Sequence, residues 1–421
     1  MLSFLLAAGL TLTPVELPEP VLDVRVVDID ADGHEDVVAV SERHLYLFPT
    51  RRGPGTKHPA PPLVVVGRGL LGVVEEGRFR RIEDPFGAFQ AADVGPASLL
   101  AALGKTKPVL LDAPGDLDGD GRDDPVLCGP EGFVTPAGLV PVVPEAQLDL
   151  YRNEAFAVEY RIPVPVAGNW TGKGRELAFF HEGAVVAFRG TREVERVPLP
   201  LTETGAEAAA MRRNEVLLQD VDGDGRLDLA VVIATGKTEL FAKFEATVRL
   251  FRGGQVYDQD KRLFHRPVSF VKVAGLLLKT ELVDLDRDGD LDLALSTVDT
   301  SVLSTAAGVA TGTAPGTYHL FRFDGKADER TPAWPLSDPV PLSALTDKPQ
   351  PPVRFLPDYD GDGRPEALAV DGAVRILVAN ADGGFDAGPS REVEGAGRPS
   401  VGRTFAAVPH KGGLLIVEAA R

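Results

Sequence analysis

Five nine-residue segments of this chain share one acidic pattern, and this repeat constrains the fold more than any other feature. Each has Asp at positions one, three and five, Gly at position six and an acid at position nine, and each runs into a short apolar stretch. A sixth copy, NWTGKGRE at 169–176, is one residue shorter and lacks the Asp residues. The chain is therefore built from repeats. The five intact copies are DIDADGHED at 28–36, DLDGDGRDD at 116–124, DVDGDGRLD at 220–228, DLDRDGDLD at 284–292 and DYDGDGRPE at 358–366.

The spacing of the copies predicts the fold class. Successive copies begin 51 to 88 residues apart, and a second apolar stretch follows each after a turn. A unit of this length with three or four strands is typical of a propeller blade. We therefore predict an all-β fold, a single β-propeller over 15–421 with seven blades, six and eight being the alternatives. The strand LDVRVVDID at 22–30 is expected to pair with C-terminal strands and close the propeller.

The clustered carboxylates indicate calcium. Acids at alternating positions repel one another unless a cation neutralises them, and Ca²⁺ accepts six to eight oxygen ligands. The closing acid at position nine and the apolar strand after it differ from an EF-hand, which closes with Glu at position twelve and is flanked by helices. Polar β-turns are the alternative, because Asp and Gly favour turns. Five copies in one register favour up to five Ca²⁺ ions, with none at the sixth copy, where Lys173 would supply the positive charge.

The overall charge agrees with this interpretation. The net charge is −18, and five turns with four acids each hold 20 carboxylates, so ion sites account for the acidity. The sequence has no run of Lys or Arg that would form a basic stripe, which argues against nucleic acid as a partner.

In these turns and their strands the chain resembles the FG-GAP/VCBS repeat family, whose best-known members form the integrin α-subunit propeller. The resemblance covers roughly 21–380, although the Phe-Gly and Gly-Ala-Pro signatures of the family are not repeated. It implies calcium binding through the acids at positions one, three, five and nine and through the backbone carbonyl at position seven. The implied ligands, with the carbonyl residue fourth in each set, are Asp28, Asp30, Asp32, His34 and Asp36; Asp116, Asp118, Asp120, Arg122 and Asp124; Asp220, Asp222, Asp224, Arg226 and Asp228; Asp284, Asp286, Asp288, Asp290 and Asp292; and Asp358, Asp360, Asp362, Arg364 and Glu366.

The N-terminus predicts export. The apolar run in MLSFLLAAGLTLTP is too short to span a bilayer but suits the central region of a signal peptide over 1–13. It lacks the usual Lys or Arg, and a first β-strand is the alternative. No other segment resembles a membrane span. Together with the calcium turns, this predicts a secreted, periplasmic or cell-surface protein.

The sequence offers no catalytic signature. GKT at 104–106 and at 236–238 lacks the preceding Gly of a phosphate-binding loop, and the HExxH and GxSxG motifs do not occur. We therefore predict a monomeric, non-catalytic binding module for a protein or a glycan. An extracellular propeller enzyme, such as a polysaccharide lyase or hydrolase, is the alternative.

Two long stretches after acidic turns are the candidate partner-binding loops. They are ATGKTELFAKFEA at 234–246 and TVDTSVLSTAAGVATGTAPGT at 297–317, whereas the corresponding hairpins elsewhere are short. Long loops on a rigid scaffold are common binding sites. Tolerated insertions, or two loops that pack on each other, are the alternative interpretation.

Overall fold

The structure is a computed structural model that describes most of the chain. Every regular element in the described part is a β-strand, and that part contains no helix long and apolar enough to cross a membrane. The described residues are 10–50, 55–75, 78–87, 91–96, 107–150, 156–199, 210–237, 244–253, 257–258, 263–264, 267–299, 313–323, 336–341, 353–380 and 384–419.

The chain divides into two compact units. The first unit is Pro18–Leu199, and the second consists of Met1–Leu17 together with Pro200–Arg421. Strand β1 (Leu10–Glu16) therefore belongs to the second unit although it begins the described chain.

The first unit contains four blade sheets and one separate hairpin. In chain order the strands of its sheets are β2 (Val21–Val27), β3 (Asp36–Ser41), β4 (His44–Phe48) and β5 (Thr56–Pro59); β6 (Leu63–Gly67), β7 (Leu70–Glu75), β8 (Arg78–Ile82) and β9 (Ala91–Pro96), with β10 (Val109–Asp112) parallel to β6; β11 (Leu127–Gly129), β12 (Gly132–Thr135) and β13 (Gly138–Val140); the hairpin β14 (Glu145–Leu150) and β15 (Phe156–Arg161); and β16 (Val166–Gly168), β17 (Glu176–His181), β18 (Ala184–Arg189) and β19 (Arg192–Pro198).

The second unit also contains four blade sheets, in which neighbouring strands are antiparallel. Its strands are β20 (Ala210–Gln219), β21 (Asp228–Lys237), β22 (Glu245–Phe251) and β25 (Ser269–Ala274), with the short hairpin β23 (Tyr257–Asp258) and β24 (Leu263–Phe264) between the last two; β26 (Leu276–Val283), β27 (Asp292–Val298), β28 (Thr313–Phe321) and β29 (Leu336–Pro341); β30 (Val353–Leu356), β31 (Glu366–Val370), β32 (Ala373–Ala379) and β33 (Phe385–Glu392); and β34 (Ser400–Val401), β35 (Phe405–His410) and β36 (Gly413–Ala419), which pair with β1.

The predicted all-β propeller class is confirmed, but the number of blades was wrong. The described residues form eight blade sheets, where seven were predicted and eight was an alternative. Two blades have neither an intact nor a degenerate acidic turn: β6 and β7 are joined through Arg68 and Gly69, and β34 and β35 through residues 402–404. Because these blades lack the acidic repeat, the sequence contains no local pattern that marks their boundaries as it does for the others.

The strand expected to close the propeller was also misplaced. Strand β1 pairs along its whole length with β36, from Leu10 opposite Ala419 to Glu16 opposite Gly413. Strand β2, which holds most of 22–30, instead pairs with β3 in the first unit. The last four residues of the predicted signal peptide, 10–13, thus lie in a strand of the last blade.

The core lies between the faces of neighbouring blades. In the first unit, Val38 and Leu45 of one sheet pack with Val64 and Leu71 of the next. In the second unit, the sheets that contain β21 and β27 share another apolar cluster. Strand β3 is buried at every residue, because both of its faces are covered. This explains why the stretch after each acidic turn is apolar throughout instead of alternating.

Candidate metal sites

Four of the five intact acidic turns join the first and second strands of a blade sheet, and the turn at 116–124 lies between β10 and β11, which belong to different sheets. The copy at 220–228, for example, links β20 to β21, and the copy at 358–366 links β30 to β31. Within each turn, one oxygen of each converging carboxylate lies within 4.8 Å of the others. The converging sets are Asp28, Asp30 and Asp32; Asp116, Asp118 and Asp124; Asp220, Asp222 and Asp228; Asp284, Asp286 and Asp288; and Asp358, Asp360, Asp362 and Glu366.

The structure therefore brings together all four predicted carboxylates in one turn and three in each of the others. Four predicted carboxylates lie outside the converging sets. They are those of Asp36 and Asp292 at position nine, and of Asp120 and Asp224 at position five. A rotation of the side chain would be needed for any of them to reach an ion shared with the rest of its turn.

Hydrogen bonds within the turn fix its shape. The N–H of the Gly at position six donates to the Asp at position one, as from Gly225 to Asp220 at 2.9 Å. The N–H at position seven donates to the Asp at position five in all five copies, as from Arg226 to Asp224 at 2.8 Å. These local bonds curl the chain so that alternate side chains point to one centre. The ligand role of the carbonyls of His34, Arg122, Arg226, Asp290 and Arg364 stays a prediction.

Backbone conformation explains the glycine at position six. Gly33 has φ 87° and Gly225 has φ 82°, a left-handed region that a side chain rarely adopts. Ala31 and Arg287 adopt φ near 60° at position four, where the three other intact copies have Gly. These two residues accept backbone strain to keep the turn.

The acid at position nine has a second role that the sequence did not reveal. Asp228 is buried, and its two oxygens accept the N–H groups of Val221 at 2.9 Å and Gly253 at 2.5 Å. Asp292 accepts from Leu285 and Phe323 in the same way. The acid thus joins its own turn to the end of the third strand of the blade, and a residue so placed stabilises the blade with or without an ion.

Some buried oxygens in the turns have no hydrogen-bond donor in the described structure. They are Oδ1 of Asp220, Oδ1 of Asp284 and Oε1 of Glu366, and the Glu366 side chain is fully buried. A buried carboxylate oxygen without a donor is costly. A hard divalent cation supplies the missing partner, so the turns fit Ca²⁺.

The raised pKa values of the buried acids also favour a cation in the turns. Burial, with the neighbouring Asp residues adding to it, raises the pKa of Asp36 and Asp292 to about 7 and that of Glu366 to about 8. The same causes raise the pKa of Asp228 to about 6. Without a cation, these carboxyl groups therefore hold protons at pH values at which an exposed carboxyl would be ionised.

We expect pH to act oppositely on the metal-free and the calcium-loaded protein. A carboxyl whose folded pKa lies above its unfolded value binds protons more tightly in the fold, so metal-free stability falls as pH rises from about 4 to about 8. Calcium needs ionised ligands, so the increase in melting temperature on adding calcium grows over the same range. Melting curves at pH 5 and pH 8, in chelator and in calcium, test this. If calcium raised the melting temperature more at pH 5 than at pH 8, the result would contradict this expectation.

The degenerate sixth turn contains an internal cation, but not the predicted one. Glu176 at its end is fully buried, and its carboxylate pairs with the guanidinium of Arg189. Lys173, which was expected to supply the charge, lies exposed. The replacing cation comes from the end of β18, the strand that pairs with β17 beside the turn.

The predicted partner loops are shorter than expected. Strand β21 extends to Lys237 and β22 begins at Glu245, with Thr235 paired to Glu245. Strand β27 ends at Val298 and β28 begins at Thr313. The remaining parts of the two stretches, 238–243 and 300–312, lie outside the described residues.

Comparison with known proteins finds only weak structural similarity. No family profile and no curated protein matches the chain. The WD40 domain of SCAP from fission yeast is similar, with 7% identity, a TM-score of 0.33, and coverage of 98% of this chain and 99% of that one. BBS1N in complex with ARL6DN, soaked with lead, has 10% identity, a TM-score of 0.40, and coverage of 99% and 98%. The V. cholerae biofilm matrix protein Bap1 has 12% identity, a TM-score of 0.29, and coverage of 97% and 90%. These similarities carry no argument about fold or function.

Proposed function

We propose that this protein is a calcium-stabilised, non-catalytic binding module that works outside the cytoplasm and binds a protein or a glycan. The observation that carries the proposal is the convergence of three or four carboxylates within 4.8 Å in each of five turns of the propeller. Such a turn is electrostatically unfavourable without a cation.

The role of the ions in this proposal is structural. In the turn at 358–366, an ion held by Asp358, Asp360, Asp362 and Glu366 would give the Glu366 oxygen its missing partner. It would also fix the end of β30 to the start of β31, because the ligands lie between them. Repeated through the blades, this would offset the lack of disulfides in a chain whose single cysteine, Cys128, is buried.

The proposed location follows from calcium supply. Sites of this kind in extracellular modules bind at ~0.1–1 mM, so they fill only where calcium is abundant. A location outside the cytoplasm does not require a signal peptide over 1–13, which stays a prediction. A secreted, a periplasmic and a cell-surface protein would all have access to abundant calcium.

The proposed binding surface is the pair of loops after β21 and β27. Strand β21 begins at Asp228 and strand β27 at Asp292, the acids that close the two turns. Both strands therefore end on the side of their sheets that lies farthest from the acidic turns. The two sheets are neighbours in the second unit and share a core cluster. The loops therefore start from adjacent, rigid strand ends, which is the arrangement that favours recognition.

Replacing 238–243 by a Gly-Ser segment of equal length should leave the melting temperature unchanged and weaken partner capture at least tenfold. The exposed substitution Glu182→Gln, in the tight hairpin between β17 and β18, is the matched control. A glycan array and a pull-down from the native cell envelope measure capture. Equal capture by the loop variant and the control would reject the loop at 238–243 as the binding surface.

A further inference from the structure

Three consecutive sheets of the second unit bring charged side chains together away from the acidic turns. Lys279 and Glu281 lie on β26, Arg354 lies on β30, and Arg398 lies two residues before β34. Each of these strands forms one edge of its sheet, and the contact between Arg354 and Glu281 shows that the edges of β26 and β30 meet. We call these four residues the cationic cluster.

A β-bulge directs the two charged side chains of β26. The pairing of β26 with β27 shifts between Leu277 and Lys279, which leaves Leu278 as an extra residue. Beyond the bulge, Lys279 and Glu281 are two positions apart, so they share one face of the strand, and Thr280 between them is buried on the other face. Bulges are common next to functional sites, where they change the direction of a side chain.

One carboxylate oxygen in the cluster contacts two cations. Oε1 of Glu281 contacts both Nζ of Lys279 and Nη1 of Arg354. The side chains are 21% exposed for Lys279, 23% for Glu281 and 11% for Arg354, so water screens them only partly. A single carboxylate cancels one of the two positive charges and leaves the other in a mostly buried place.

Arg398 adds a third positive charge to the cluster. Its residue is exposed, and within the described part of the chain its side chain makes no hydrogen bond or ion pair. Burial, together with the charge of Arg398, lowers the pKa of Arg354 to about 10. The two guanidinium groups are therefore close enough to repel each other.

The charges of the cationic cluster do not balance. Three positive charges surround one negative charge, in a chain whose net charge is −18. Like charges held together in a partly buried place are unfavourable unless an opposite charge is supplied. An anion between Arg354 and Arg398 would supply that charge.

The chemistry of the cluster selects the kind of anion. The planar guanidinium group matches a carboxylate, to which it donates two parallel hydrogen bonds. Because Arg354 and Lys279 are mostly buried, only a small group can reach them. The negative charge of the whole chain also repels polyanions. A small molecule with one carboxylate satisfies all three conditions.

We propose that the cationic cluster is a binding site for one small carboxylate anion. The anion accepts hydrogen bonds from Arg354 and Arg398, while Glu281 holds Arg354 and Lys279 in place. None of the four residues belongs to an acidic turn, so this site does not depend on the calcium binding proposed above.

Isothermal titration calorimetry of the full chain with sodium acetate at constant ionic strength tests the proposal. Acetate should bind once per chain, and acetamide, its neutral counterpart of nearly the same shape, should not bind. Arg398→Gln should weaken acetate binding about tenfold or more, the loss expected when a hydrogen bond between charged groups is removed. Arg391→Gln is the control, because it removes the same charge from an exposed position on β33 and should leave the affinity unchanged.

Glu281→Gln provides the converse test, because it should strengthen binding, a gain that misfolding would not produce. The variant removes the carboxylate that competes with acetate for Arg354, so acetate should bind about tenfold more tightly. If acetate bound neither the natural protein nor Glu281→Gln, the site would be overturned. Equal affinities in the natural protein, Arg398→Gln and Glu281→Gln would overturn it too, because acetate would then bind elsewhere.

Two further titrations separate this site from the acidic turns and from other anions. Acetate should bind equally in EDTA and in calcium, and binding that disappears in EDTA would place the anion on a calcium ion and overturn the proposal. Sulfate should bind more weakly than acetate. Tighter binding of sulfate would overturn the preference for a planar carboxylate. A chain that binds acetate but no calcium would contradict only the proposed function.

Discussion

Removing calcium with a chelator will lower the melting temperature of this protein by about 8 °C, and added calcium will restore it. At ten times the dissociation constant each site stabilises the fold by roughly 1.4 kcal/mol, so five sites contribute about 7 kcal/mol. Unfolding entropy scales with chain length, and for 421 residues a change of this size corresponds to about 8 °C. Differential scanning calorimetry in EDTA and in 10 mM calcium measures the difference.

Two controls assign the effect to the turns. Asp360→Asn removes one charge from the turn at 358–366 and should reduce the calcium increment, whereas Asp371→Asn, in an exposed hairpin pair, should not. Magnesium at the same concentration should restore less stability, because it demands a tighter octahedral site. Identical melting curves in EDTA and in calcium would show that calcium does not stabilise the fold.

Deleting residues 1–17 will destabilise the second unit by about 4 kcal/mol or more, relative to a chain that begins at Leu10. Strand β1 pairs along its length with β36, and Leu10 is 3% exposed within the apolar cluster of the last blade. Burial of a Leu side chain contributes about 1.5–3 kcal/mol, and the partly buried Leu12 and the ladder hydrogen bonds add to it. Loss of β1 also exposes the edge of β36, which favours association between chains.

Denaturant unfolding and size-exclusion chromatography compare the two chains. Equal unfolding midpoints would show that β1 is dispensable, which is the result expected if residues 1–13 are removed as a signal peptide. N-terminal sequencing of the exported protein supplies the complementary readout. A mature chain that begins after residue 13 would retain only Pro14, Val15 and Glu16 of β1.

The acidic turns were predictable because their information is local. Asp and Gly at fixed positions determine where the chain bends, and the apolar run that follows identifies the next strand, as from Asp36 into β3. The converging carboxylates of Asp358, Asp360, Asp362 and Glu366 could therefore be selected from the sequence. The role of Asp228 as an acceptor for Gly253 could not, because the two residues are 25 positions apart and meet only through strand pairing.

Long-range pairing also explains the other differences. Arg189, which pairs with Glu176, lies beyond a hairpin from the turn, so local spacing favoured Lys173 instead. The blade of β6 to β9 has Gly at its turn and no acidic signature, and the last blade is completed from the opposite end of the chain by β1. In each case the missing information was which strands pair.

The central claim is that the acidic turns bind calcium, and a crystal structure of the full chain grown in calcium tests it most directly. Anomalous scattering should place an ion among Asp358, Asp360, Asp362 and Glu366, at 2.3–2.6 Å from their oxygens, and further ions in the other intact turns. The turn at 169–176 should hold Arg189 and no ion. Turns that contain only water or lysine and arginine side chains at saturating calcium would contradict the account.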